Sequence, residues 1–477
     1  MTRPFSSRAS RIVRRPHRWR PRGQRGFTLI ELLVSLVAGL IVGLAVVSLS
    51  KNVANQFYEE VRANAAETSV RLASQRLRSD LSRAGLMTTG NIFLDPRASH
   101  AAGGNGAKGL LPLQHLTGIR IVSGGSLTPI TTYGLGGALA PPAAFATAAA
   151  AQAPGVPALT PDALAIYGNL TSGDEYFGSV DPGAPPGCGG KVLRLNLDDP
   201  SLLRILRDVN GVAVPAGQAQ SALQQVFAPI GGHAFYARVT DTKGYYHYAA
   251  TCVIPATWDG TNAYVYLQDP TATLTSLETG SQFGGVDGFE TVSVSPIQGA
   301  YWFVGRITTG ALGTAGALVE NAASVALSTQ KFDLYRAWIS ADGAGTILTN
   351  DAEVVAEFVV DLKLGFTVDD PAQPEGSSAK ALAFGFTSLP SDKDPWANRD
   401  ITTAAPSVVG RGTQGPHRIR SVRYRLTTRA ATPDRDQALP PPPGSDFMYR
   451  YRIGALYARA RVTQGEVALV NQARMNY

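Results

Sequence analysis

A single carboxylate, Glu31, stands five residues past Gly26 in the run Arg25-Gly26-Phe27-Thr28-Leu29-Ile30-Glu31-Leu32-Leu33-Val34. No other ionisable side chain occurs from residue 27 to residue 50. A helix of that length spans roughly 36 Å, more than the ~30 Å of a bilayer's hydrocarbon core. An acid near one end of such a helix costs about 2 to 3 kcal/mol or more, so the spacing predicts a partner that offsets the charge. Residues 1–26 hold nine arginines, no acid and no lysine, the composition of a cytoplasmic positive flank. The apolar stretch follows the glycine instead of preceding it, the reverse of a secretory signal. An uncleaved signal anchor and a basic nucleic-acid arm are the alternative readings of this end.

Elsewhere the residue types that do chemistry are sparse. The sequence has no His-Glu-x-x-His, Gly-x-Ser-x-Gly, P-loop or EF-hand pattern, and its six histidines are scattered. Gly410-Arg411-Gly412-Thr413-Gln414-Gly415 matches Gly-x-Gly-x-x-Gly by letters. A dinucleotide fingerprint needs a helix to open after it, and Pro416-His417-Arg418-Ile419 leads into a strand-like run, so a loop is expected. Cys188 and Cys252 are the two cysteines, and with only His247 near either in sequence they do not supply the four ligands of a closed zinc site. Oxygen-rich turns at residues 342–351, 369–370 and 392–394 carry the donor type that calcium takes; solvated turns are the plainer reading.

The elements that must position these residues begin with the helix. No proline lies between Pro21 and Pro96, and apolar residues at Val53, Phe57, Val61, Leu72, Leu77 and Leu81 predict one packed face. The helix is expected over residues 27–84, stopping at Gly85, with a coiled-coil stalk as the alternative. From residue 86 onward the chain reads as β with long loops. Alternation is clearest at Phe358, Val360, Leu362, Leu364, Phe366 and Val368, with Asp361, Lys363, Thr367 and Asp369 opposite, which predicts a half-buried strand. Further strands are expected at 164–167, 192–195, 245–254, 263–267, 301–307, 332–339, 418–426, 448–456 and 467–470. Stretches 134–157, 371–396 and 439–444 are rich in Ala, Pro, Gly or polar residues and are expected as surface loops.

The whole chain carries 43 Lys+Arg against 36 Asp+Glu. Subtracting the nine arginines of residues 1–26 leaves 34 against 36, a remainder near −2. The basic character therefore belongs to the first 26 residues. A local basic face around Arg418, Arg420, Arg423 and Arg425 remains open, but no nucleic-acid partner is expected.

The Gly26-Phe27 junction, the apolar run and Glu31 together resemble the class III signal of type IV prepilins and type II secretion pseudopilins. The resemblance implies that a membrane prepilin peptidase cuts after Gly26 and N-methylates Phe27, and that Glu31 meets the amine of Phe27 in a neighbouring subunit on assembly. Leu77-Arg78-Ser79-Asp80-Leu81-Ser82-Arg83-Ala84-Gly85, the stretch from Val354 through Asp369, and Val467-Ala468-Leu469-Val470-Asn471 are similar to segments of PilW-type minor pilins. The cysteine often found after the Ala-Gly of that family is absent here, and residues 96–330 lie largely outside the likeness.

What the resemblance implies is an α+β fold: a long N-terminal transmembrane and stalk helix with a periplasmic, antiparallel β-rich, pilin-like head carrying long loops. The expected organisation is a cleaved leader at 1–26, a transmembrane half-helix at 27–50 and an amphipathic stalk at 51–85. An elaborated β-rich region at 86–330 and a pilin-like sheet region at 331–477 follow. An oxidising periplasm then makes one disulfide between Cys188 and Cys252 the expectation, with two unpaired buried thiols as the alternative. The function implied is that of a minor pilin, with no catalytic role, cofactor or metal, anchored in the inner membrane by residues 27–50. Its partners would be other minor pilins, the pilus assembly platform and the prepilin peptidase. A secretion pseudopilin, or a tip adhesin or DNA-uptake module, is the alternative.

Overall fold

The computed structural model describes residues 28–92, 94–98, 113, 116–123, 139–140, 161–181, 187–242, 244–268, 291–307, 332–342, 345–370, 372–374, 376–397, 415–431, 450–453 and 456–473. The chain falls into two compact units, Met1–Glu60 and Val61–Tyr477. Helix α1 (Leu29–Ser82) contributes to both. In the first unit its apolar side chains, among them Leu29, Leu36, Leu40, Leu44 and Leu49, are all exposed. A helix that is apolar on every face needs lipid or a partner around it. The segment Leu29–Tyr58 is long and apolar enough to cross a membrane.

The part of α1 in the second unit is amphipathic. Val70, Ala73, Leu77 and Leu81, spaced three and four apart, are buried on one face, and Ala84 follows them. Leu72, expected on the packed face, is 60% exposed. The small Ala73 sits inward in its place, because the 3.6-residue period and not side-chain size decides the face. The helix ends at Ser82, two residues before the expected stop. Arg83 and Ala84 tighten into turns by donating to the carbonyls of Asp80 and Leu81, and Gly85 takes the left-handed conformation at φ +77°.

The strands follow in chain order: β1 (Ile119–Val122), β2 (Leu139–Ala140), β3 (Ala163–Gly168), β4 (Tyr176–Asp181), β5 (Gly190–Leu195), β6 (Tyr236–Thr240), β7 (Tyr246–Trp258) and β8 (Ala263–Gln268). After them come β9 (Thr291–Ile307), β10 (Asp333–Ile339), β11 (Ile347–Ala356), β12 (Val359–Asp369), β13 (Ala381–Phe384), β14 (Ile419–Arg429), β15 (Arg450–Ile453) and β16 (Leu456–Ala468). Short helices α2 (Pro200–Leu206), α3 (Ala216–Phe227), α4 (Pro390–Ala397) and α5 (Val470–Ala473) intervene. Every pairing between these strands is antiparallel.

Strand β9 belongs to two structures at once. Its first half pairs with β4 on one side and β6 on the other, and the path β4-β5-β8-β7-β6 returns to β9, closing a barrel. Closure leaves no free strand edge there. Leu193, Val265, Leu267, Val292 and Val294 fill the interior together with Leu202 of α2 and Ala219, Leu223 and Phe227 of α3. The second half of β9 lies in an open sheet ordered β1-β3-β9-β10-β11. A second open sheet has the order β13-β12-β14-β16-β15. β10 pairs with β9 across residue 330, so the expected division between residues 330 and 331 does not separate two structural units. Long-range strand pairing overrides chain order.

The core of the second unit explains this arrangement. Leu164 and Ile166 of β3, Trp302 and Val304 of β9 and Leu334 of β10 face one way. Leu362, Leu364 and Phe366 of β12 and Val422 and Leu426 of β14 join the same cluster, and the buried face of α1 lies within it. The opposite faces of β3, β9 and β10 bury Tyr167, Tyr301, Phe303 and Tyr335 in a second cluster. Strand β3 is therefore buried along its whole length, one apolar set to each side.

Two expectations fail here. The face of β12 expected to be solvated is covered, with Asp361 2% exposed, and Phe358 precedes the strand at a positive φ of 55° instead of starting it. The stretch expected as a surface loop over 371–396 forms β13 and α4, and α4 buries Lys393, Trp396 and Ala397. One tryptophan and one alanine are enough to seat a short polar helix.

Candidate functional site

In the first unit the N-terminus of α1 is held by a reciprocal cap. The Thr28 backbone N–H and hydroxyl both lie 3.1 Å from Glu31 Oε2, each placed to donate to it, and Glu31 N–H donates to Thr28 Oγ1 at 3.3 Å. This is a Thr-x-x-Glu capping box, which satisfies two otherwise orphaned helix donors. Glu31 thus has a local partner that the sequence reading missed, although the Thr-x-x-Glu spacing was its signal. Gly39 and Gly43 were also missed. They lie one helical turn apart, and a Cβ on either would meet no atom within 4 Å; small residues at this spacing let apolar helices approach closely. Gly26 and Phe27 lie outside the described residues.

In the second unit Asp80 anchors α1. Its Oδ2 accepts from Arg336 Nε at 2.6 Å and from Trp302 Nε1 at 3.1 Å. Both charged side chains are buried, at 7% and 3% exposure. The Arg336 guanidinium also lies 3.9 Å from the ring centroid of Trp338, a cation–π contact. Two further bonds come from β14: the Ser74 and Tyr424 hydroxyls meet at 2.7 Å, and Thr428 Oγ1 donates to the Ala66 carbonyl at 3.3 Å. At the C-terminus of α1 the Asn471 amide donates to the Ser82 carbonyl at 3.1 Å, and Arg83 reaches the Leu170 carbonyl at 2.8 Å. The first of these bonds satisfies an otherwise orphaned helix carbonyl. Asp80 sits inside the motif quoted above, but no spacing rule pointed to Trp302 and Arg336, more than 200 residues away.

The other sequence candidates are dispersed. Cys188 and Cys252 form a disulfide with a Cα–Cα distance of 6.0 Å, pinning the start of β5 to β7 of the barrel. The arginines of the basic face left open by the sequence are engaged by neighbours: Arg420 with Asp369 at 3.4 Å, Arg418 with Asp369 at 4.0 Å and Arg425 with Asp361 at 3.4 Å. Arg423 donates to the Phe384 carbonyl at 3.2 Å. These four arginines therefore form no free basic face among the described residues.

Of the turn carboxylates, Asp342 accepts from the Thr346 N–H at 2.9 Å and Asp370 from the Ala372 N–H at 3.0 Å, both as turn caps. No group of three or more His, Cys, Asp or Glu residues able to hold a metal occurs among the described residues. Gly415 is followed by a short turn, Pro416–Arg418, and then by β14, so the described part of the glycine-rich segment opens no helix.

Burial shifts several groups from their ordinary titration range, His417 and Asp361 among them. Burial, reinforced by Arg418 and Arg420, holds His417 down to about 3. Burial pushes Asp361 up to about 6 against the opposing pull of Lys363 and Arg425. His247 pairs with Asp241 at 3.1 Å in the core.

A family model, the prokaryotic N-terminal methylation motif, matches residues 21–47. No curated protein and no solved structure matches the chain. The motif indicates a type IV pilin-like or pseudopilin-type protein, to be processed by a prepilin peptidase and assembled with pilus components. The apolar helix that follows it fits membrane anchoring and incorporation in a pilus.

Proposed function

We propose that this chain is a PilW-like minor pilin, a structural subunit that enters an inner-membrane complex with other minor pilins and helps prime pilus assembly. The observation that carries this reading is the methylation motif at 21–47 joined to an apolar helix with one carboxylate at its start. On processing after Gly26, Glu31 sits at the fifth position of the product, where it can exchange part of its Thr28 cap for the Phe27 amine of a neighbouring subunit. The head lies in the periplasm, and Asp80, Trp302 and Arg336 transmit to it whatever load α1 takes up in the assembly.

The test uses the full-length protein extracted from its own membranes. Glu31→Leu should insert normally, because it removes a burial penalty, yet recover fewer minor-pilin partners and support fewer pili. Normal complex recovery and normal piliation would reject the assembly role. The closed barrel, built from residues outside the PilW likeness, favours a second reading in which the same subunit carries a binding module at the filament tip. Glycan or nucleic-acid binding by wild type that is lost on barrel disruption, with piliation intact, would support it.

A further inference from the structure

Asp162 immediately precedes β3 of the first open sheet, yet it is bonded to β12 of the second. Its N–H donates to the Leu362 carbonyl at 2.7 Å, and its Oδ2 accepts from the Leu364 N–H at 2.8 Å. These bonds aim Oδ1 at the Lys363 ammonium, 3.5 Å away. The Asp162 side chain is 2% exposed and that of Lys363 18%. Asp361, on the same face of β12 as Lys363 and two residues before it, is also buried. Its Oδ2 meets Arg425 at 3.4 Å, and its Oδ1 has no hydrogen-bond partner among the described residues.

Burying an ammonium and a carboxylate side by side costs desolvation that their attraction only partly offsets. Condensation to an amide would remove both charges. Groups held in reacting geometry reach effective molarities on the order of 10⁵–10⁸ M, which favours amide formation over its ordinary balance in water.

We propose that Lys363 and Asp162 form an intramolecular isopeptide bond, with Asp361 positioned to relay the proton. The Lys363 ammonium passes one proton to the Asp162 carboxylate, and the freed amine attacks Asp162 Cγ. The C–N bond forms, and a second nitrogen proton moves through the Asp361 carboxyl to the departing oxygen. The C–O bond breaks and one water leaves, so an ammonium and a carboxylate become a neutral amide and a single water, with no proton or charge supplied from outside. Asp361 suits the relay because burial has moved its titration to about 6, close to neutrality. The bond would tie together the two sheets whose shared core holds the buried face of α1.

The decisive experiment is peptide mapping by mass spectrometry of the full-length chain, extracted in detergent and digested after reduction. The expected result is one species in which the peptide bearing Asp162 is joined to the peptide bearing Lys363, lighter than their sum by one water and uncut at Lys363. Lys363→Arg keeps the cation and should lose the linked species. Asp361→Asn should lower its yield and Asp361→Glu restore it, which a purely structural role of Asp361 would not require. Recovery of the two wild-type peptides only separately, at their unmodified masses, overturns the proposal regardless of how the variants fold. An undiminished yield in Asp361→Asn overturns the relay.

Discussion

At the residue scale, the most consequential side chain in the second unit is Asp80, because its loss leaves the Arg336 guanidinium buried without its carboxylate. Breaking a buried pair from one side costs about 3–5 kcal/mol. Asp80→Ala should therefore lower the denaturation midpoint substantially, and Asp80→Asn less, since the amide oxygen still accepts from Trp302. Equilibrium unfolding of the detergent-solubilised chain measures both.

Two other residues set opposing pH dependences. His417 binds a proton at its usual 6.5 when unfolded but only near 3 when folded. The unfolded state thus carries more protons between those values, and stability falls as pH drops through that window. Asp361 is the reverse: folded it holds its proton up to about 6, unfolded only to its usual 3.8. Its contribution is present below 3.8 and lost as pH rises toward 6. Stability measured from pH 4 to 6 should rise less steeply with pH in His417→Gln than in wild type, and more steeply in Asp361→Asn. Parallel profiles for all three proteins would contradict both assignments.

At the scale of elements, α1 makes a sharp prediction from periodicity. Leu77→Ala removes a fully buried side chain and should cost about 2–5 kcal/mol, whereas Leu72→Ala, largely exposed, should fall within about 0.5 kcal/mol. Thermal unfolding of the two variants distinguishes them. The disulfide makes another. Non-reducing peptide mapping should recover Cys188 linked to Cys252, and Cys188→Ala should cost about 2–5 kcal/mol, by freeing the strands it pins in the barrel.

Much of this was legible in the residues. The Gly85 stop was read from its type, and most strands with an unbroken apolar run, such as β3 and β8, were found within a residue or two. What was missed has physical reasons. Helix α3 carries Ala219, Leu223 and Phe227 at helical spacing, but its polar, Gln-rich composition within a β-rich chain masks that short apolar stripe. Asp199, whose side chain accepts from the Ser201 N–H ahead of Pro200, is a plain start signal for α2. The burial of Asp361 on the other face of β12 was not readable, because the charged groups around it include Arg425 of β14 and Asp162 ahead of β3, both from distant parts of the chain. The closed barrel was not readable either, since β9 joins two structures through pairings set by tertiary contacts.

At the scale of the whole molecule, the account joins two parts of different physical character. The described part of the first unit is an apolar helix whose side chains find no cover among the described residues. The second is a β-rich unit whose core contains the continuation of that helix. On the proposed function, a subunit made in this way gains its full set of contacts in a membrane or an assembly, and processing after Gly26 would be the step that commits it to one. Gly26→Val should block that step, because a branched side chain crowds the peptidase subsite that glycine leaves open; the uncleaved precursor would be seen by its larger mass. The most direct test is mass spectrometry of the N-terminus of the chain recovered from its native membrane. The account predicts a product beginning at Phe27 and carrying N-methylation. Retention of residues 1–26, or a cut at any other position, would contradict it.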